Sequence, residues 1–145
     1  MNRQNPWKGL DSYKESEKLY GRDDEVEVLM SRIEYNVQTV VYGRSGIGKS
    51  SILNAGIFPK ARLAGMMPVA IRLLHTSDKE NPTEPYIDQI RKAIDNELLR
   101  MGGNARELVP HAEGHAETLW EYLHRHTFSI ENRPVRPLLV FDQFE

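Results

Sequence analysis

The 145-residue chain contains no cysteine. A disulfide framework and a thiolate zinc site are therefore both excluded. No apolar stretch approaches the length needed to cross a bilayer. The opening residues, Met1-Asn2-Arg3-Gln4-Asn5-Pro6-Trp7, lack the apolar centre of a secretory leader. Charge of one sign is also missing, because the net charge is only −2. Such a balance gives no global pull toward nucleic acid or an anionic membrane. No internal repeat or low-complexity tract appears. These absences point to a reduced, cytoplasmic setting, with no membrane partner and no direct nucleic-acid partner expected. Residues of the hydrophobic set make up 39% of the chain and charged residues 28%, ordinary proportions for a globular protein. The length fits one domain that could bury about 70% of its unfolded surface.

Against this plain background one run stands out: Gly43-Arg44-Ser45-Gly46-Ile47-Gly48-Lys49-Ser50. It is G-x-x-x-x-G-K-[ST], the phosphate-cradling P-loop. Glycines allow left-handed or open backbone that a Cβ forbids. Successive N–H groups can then turn inward as an anion nest. Lys49 supplies a mobile positive charge for the β- and γ-phosphates, and the Ser50 hydroxyl suits Mg²⁺, which prefers oxygen ligands. The candidate phosphate site is thus Gly43 to Ser50, with Ser51 following on the helix. Thr39-Val40-Val41-Tyr42 before it reads as a strand, and Ser51-Ile52-Leu53-Asn54-Ala55 after it as a helix. A glycine-rich turn that binds nothing is the bland alternative.

The rest of the chain is read from periodicity. Asp23 is expected to cap a helix over 24–35, with Val26, Leu29, Met30 and Ile33 on one face. A strand is expected at 38–42. The P-loop helix should end near Gly56, ahead of Pro59. Met67 to Leu74 reads as the second strand, 75–83 as a polar loop, and 85–100 as a helix that Gly102-Gly103 stops. Residues 104–115 are ambiguous. A short helix fits Glu117–His124, with Leu119, Trp120 and Leu123 inward. Asn132 to Arg136 reads as a loop, and Leu138-Leu139-Val140-Phe141 as a strand covered on both faces.

That last run ends in Asp142, which gives a Walker B pattern. An aspartate at the carboxyl end of a parallel strand stands where open α/β sheets bind ligands. It would hold Mg²⁺ through water, beside Ser50. Glu145, two residues beyond Gln143, either orients the attacking water or is a solvated chain-end carboxylate.

Both motifs, together with Asn5-Pro6-Trp7-Lys8-Gly9-Leu10, Tyr20-Gly21-Arg22-Asp23 and Asp142-Gln143-Phe144-Glu145, resemble the STAND NTPases of bacteria. The resemblance is to the N-terminal part of their nucleotide-binding domain, in the branch with D-Q-F-E at Walker B. It implies a three-layer α/β/α P-loop fold with a mainly parallel sheet in the order 5-1-4-3-2. It also implies an ATP-controlled switch used in signalling or in defence against phage, with ATP or ADP and Mg²⁺ as ligands. On that basis Tyr20, Gly21 and Arg22 would lie near adenine and ribose, and Lys49 and Ser50 would serve phosphate and metal. Asp142 would be the metal-side acid. Family members continue well past Walker B. A chain ending at Glu145 would lack the later strands, so binding is more secure than turnover. An open sheet edge would be left for the rest of a parent chain or another copy. The expected organisation is an irregular segment, 1–22, ending in the G-R-D element, then a partial P-loop domain, 23–145.

Three rival readings are a small-molecule kinase, a DNA-engaging ATPase of the AAA+ type, and an oligomerisation module without turnover. The kinase would need a lid, for which Arg125, Arg133 and Arg136 are the only candidates. They read more simply as a solvated face. His111 and His115, with Glu113 between, could share a helical face, but Gly114 interrupts and no third ligand is evident. His124 and His126 read as solvated. Trp7 and Trp120 are expected in the core. Lys60 and Arg62 suit the end of a helix.

Overall fold

Acidic residues crowd the start of the first helix and a basic residue closes it, in the sense the helix dipole favours. This helix, α1, spans Asp23–Tyr35, with Asp23, Asp24 and Glu25 in its first turn and Arg32 in its last. Val26 and Met30 are its buried residues. Arg22, rather than Asp23, occupies the cap position, and no side chain caps the helix. The computed structural model describes residues 13–14, 17, 19–74, 84–111, 114 and 116–142. The sequence expectations for Trp7, the 75–83 loop, His115 and Gln143–Glu145 lie outside these. The chain divides into two compact units, Met1–Ala64 and Gly65–Glu145.

In the first unit the helix after the P-loop does not stop at Gly56. Lys49–Ser51 is α-helical (α2), Ile52–Ile57 forms a π-helical turn, and Phe58–Leu63 is α-helical again (α3). The π turn carries the chain past Pro59: the Phe58 N–H reaches back to the Leu53 carbonyl, and the proline falls in the first turn of α3. There its missing N–H costs little. Gly56 is buried where α1 packs, and a Cβ there would lie 2.5 Å from Cγ2 of Val26. Lys60 pairs with Glu27 of α1.

The expected strand at 38–42 is not formed among the described residues. Val40 and Tyr42 are 71% and 92% exposed. Valine and tyrosine favour strands because they pack on neighbouring strands, and this stretch has no such partner among the described residues of its unit.

The second unit carries a four-stranded sheet: β1 (Met66–Ile71), β2 (Gly103–Glu107), β3 (His126–Ile130) and β4 (Arg133–Phe141). Their order is β1-β4-β3-β2. The sheet is mixed, not mainly parallel: β1 pairs parallel with β4, whereas β2–β3 and β3–β4 are antiparallel. The reason is connection length. The parallel pair is joined through a long crossover containing α4 (Tyr86–Arg100), but β3 and β4 are joined by Glu131 and Asn132 alone. Both turn residues have positive φ, 50° and 62°. Two such residues match the right-handed twist of a hairpin, which can only be antiparallel.

Strand β4 changes partner along its length. Arg133–Val135 pairs with β3, and Arg136–Phe141 pairs with β1. Among the described residues of this unit each half therefore has a ladder on one side only. That is how Pro134 and Pro137 are accommodated in a strand that sits inside the sheet order. The sequence reading placed 132–136 in a loop and missed β2 and β3. It also placed Leu138–Phe141 under cover on both faces, but no residue of β4 is fully buried.

The core joins the β1 side chains Met67, Val69 and Ile71 to Ile90, Ile94 and Leu98 of α4, and to Tyr122 and Phe128. Tyr122 lies on α5 (Leu119–Arg125), whose start is fixed by a capping box between Thr118 and Glu121. Leu119 and Leu123 pack against the core as expected. Trp120 does not: it is 66% exposed and stacks on His124 at 4.0 Å. Positions 119, 122 and 123 are the ones that fall on one helical stripe, so Tyr122 takes the buried place.

Candidate functional site: the glycine loop and its flanking motifs

The loop from Gly43 to Gly48 turns on two left-handed glycines, Gly46 at φ +80° and Gly48 at +90°. Residues with a side chain rarely adopt these angles. Gly48 leads directly into α2, and the Ile52 N–H donates to its carbonyl at 2.9 Å, closing the first helical turn. The Ile47 N–H is directed to the Arg44 carbonyl at 3.4 Å. Lys49 sends its ammonium back over the loop: Nζ donates to the Gly43 carbonyl at 2.8 Å and to the Arg44 carbonyl at 3.1 Å. A lysine has three such protons, so one donor remains for an anion. Ser50 sits half-buried in the first turn of α2. Ser51 faces inward and its Oγ accepts the Tyr13 N–H at 3.1 Å. Arg44, Ser45 and Ile47 are exposed on the loop.

Of the residues that the resemblance places near a base, Tyr20 and Gly21 are exposed, and Gly21 has a left-handed φ of +70°. Arg22 is brought to the loop itself. Its Nη1 donates to the Ile47 carbonyl at 2.7 Å. Its Nε and Nη2 both donate to Glu25, Nη2 at 3.0 Å. The pairing holds the Arg22 guanidinium above its ordinary pKa and the Glu25 carboxyl below its own, the mutual hydrogen bond being the main cause in each. Sequence reasoning did not foresee that the G-R-D arginine would grip the loop's backbone. The i, i+3 spacing of Arg22 and Glu25 across the start of a helix was the available signal.

In the second unit Asp142 directly follows β4, and its N–H donates to the Ile71 carbonyl at 3.1 Å. The parallel ladder thus runs to the carboxyl ends of β1 and β4, and the exposed Asp142 stands at that end. Gln143 and Glu145 lie outside the described residues. Ser50 and Asp142 offer hydroxyl and carboxylate oxygens, the hard donors that Mg²⁺ takes.

One other expectation changes. Arg125 is not part of a solvated basic face: its side chain is 14% exposed. Its Nε donates to the Val109 carbonyl at 2.7 Å, and its two other nitrogens pair with Glu117 and Glu107. Glu117 also pairs with Arg91 and has His111 Nδ1 at 4.0 Å. No group of three or more histidine, aspartate or glutamate side chains suited to a metal occurs among the described residues. No helix there is long and apolar enough to cross a membrane.

Comparison with curated proteins and with solved structures produced no match. The sequence pattern of the family described as Novel STAND NTPase 1, in contrast, matches residues 6–145, from Pro6 through D-Q-F-E. With both motifs inside that span, the chain belongs to the Novel STAND NTPase 1 family.

Proposed function

We propose that this chain is the Mg²⁺·ATP-binding module of a STAND-type switch that couples nucleotide state to conformation and assembly, in bacterial signalling or defence against phage. The observation that carries it is the loop conformation: left-handed Gly46 and Gly48 lead into a helix, with Lys49 folded across the loop. A glycine turn, a helix start and an ammonium side by side are the elements from which a phosphate-binding nest is built. The residues that would hold the triphosphate are Gly43 to Ser51. The Ser50 hydroxyl and, in the other unit, the Asp142 carboxylate are each suited as an Mg²⁺ ligand, and the metal would supply charge neutralisation. Glu145 would orient water in a protein that turns over. Little covalent work is asked of the chain, because phosphoryl transfer depends mainly on positioning and electrostatics.

The kinase reading loses ground here, since Arg125 is held by Glu117, Glu107 and a carbonyl and is not available as a lid cation. The net charge of −2 speaks against a duplex-DNA partner. Calorimetry of the chain with Mg²⁺·ATP tests the proposal. Uptake is expected in the wild type and loss of at least about a hundredfold in Lys49→Ala, as a charge-assisted contact of ~3 kcal/mol disappears. No magnesium-dependent uptake by the folded wild type would refute it.

A further inference from the structure

Among the described residues two cations hold the carbonyls of the glycine loop, and only Lys49 belongs to the loop motif. The other is Arg22, at the cap position of α1. Its Nη1 takes the Ile47 carbonyl at 2.7 Å, while Nε and Nη2 engage the Glu25 carboxylate. The guanidinium is thus fixed by a fork on one side and spends its remaining arm on the loop. Gly48 lies against the same group: a Cβ built there would come within 3.1 Å of Nη1.

The consequence follows from amide geometry. A trans peptide is planar, with its carbonyl and N–H on opposite sides. The Ile47 carbonyl and the Gly48 N–H belong to one such plane. With the carbonyl turned to Arg22, the N–H is turned away from it. The glycine at 48 leaves this plane free to rotate at little steric cost. A flipped plane would present a carbonyl oxygen where a phosphate needs a donor. We infer that Arg22, oriented by Glu25, is a positioning residue that locks the Ile47–Gly48 peptide with its N–H toward the phosphate of the nucleotide. This rests on the nucleotide-binding reading above but differs from what the resemblance implies. Arg22 acts through the loop's backbone, on any polyphosphate, and not through a base or ribose.

The test uses the full ¹⁵N-labelled chain as wild type, Arg22→Gln and Arg22→Lys. Each is titrated with Mg²⁺·ATP and with inorganic tripolyphosphate, which has neither base nor ribose. Arg22→Gln should weaken both ligands alike, by about tenfold, and should shift or split the Gly48 amide signal before any ligand is added. Arg22→Lys keeps one donor for the Ile47 carbonyl and should lose only about two- to threefold. Unchanged amide signals for Met30 to Glu34, remote from the substituted position, report that α1 is intact. A loss confined to Mg²⁺·ATP, with tripolyphosphate unaffected, overturns the lock and assigns Arg22 to the base or ribose. An unmoved Gly48 signal in Arg22→Gln also overturns it. Failure of the wild type to take up either ligand overturns the nucleotide reading and the lock together.

Discussion

Replacing Gly56 by alanine sets two known effects against each other. Alanine is a better helix former than glycine by about 1 kcal/mol, so on propensity alone Gly56→Ala should stabilise. The structure argues the reverse. The new methyl would lie 2.5 Å from Cγ2 of Val26 and 3.3 Å from Cγ1. Carbon atoms pack at about 3.5–4.0 Å, so more than ~1 Å must be found. Val26 cannot swing aside, because a valine in a helix has one strongly preferred rotamer. It is also only 4% exposed, which leaves no empty side to move into. Overpacking of this kind costs about 1–3 kcal/mol. With the clash at the severe end, the net change should be a destabilisation of about 1–2 kcal/mol. Val26→Ala alone should cost about 2 kcal/mol through lost burial and a cavity. In the double variant the new methyl occupies the vacated space. It should be no less stable than Val26→Ala, a coupling of about 1–2 kcal/mol. Urea denaturation of the four proteins measures this directly. A Gly56→Ala protein as stable as wild type, or a strictly additive double variant, would refute the close approach of α1 to the π turn.

Four further outcomes are expected. Lys49→Ala should abolish Mg²⁺·ATP uptake in calorimetry while leaving the urea midpoint close to wild type, since among the described residues its ammonium contacts loop carbonyls alone. Glu117→Ala should lower stability by about 3 kcal/mol in urea, because two arginines lose their nearly buried carboxylate. Glu131→Asn with Asn132→Gly should stabilise by about 1 kcal/mol in thermal denaturation, as both positions have positive φ that a glutamate tolerates poorly. Burial, helped by the Asp95 carboxylate, pushes the Tyr122 phenol up to about 12. Its contribution to stability is therefore complete below pH 10 and lost as pH rises from there toward 12. Tyr122→Phe should flatten that alkaline loss in pH-jump denaturation.

What was legible in the chain was what local rules decide. The glycine loop, α1 and α4 follow from spacing, charge and glycine placement, and each was found close to its place. The failures share a cause. Residues 38–42 have strand-forming side chains but no ladder partner among the described residues, so propensity alone misleads. Pro134 and Pro137 look like loop residues until β4 is seen to change partners between Val135 and Arg136. Pro59 looks like a helix stop until a π turn carries the chain past it. Trp120 and Tyr122 compete for one buried place, and composition cannot say which wins. At the site, the motif announced Lys49 and the glycines. The grip of Arg22 on Ile47 depends on how α1 is docked, which no pattern within the loop encodes.

The partner change along β4 also sets an order of assembly. Its first half meets β3 across a two-residue turn, a closure between near neighbours that can happen almost at once. Its second half must find β1, whose Met66 meets Arg136 only after the whole intervening segment has been made. Pairings between such distant residues are the slow ones. On the ribosome β1 therefore waits, apolar and without this partner, until β4 emerges. That interval is when this chain is most exposed to sticking to its neighbours.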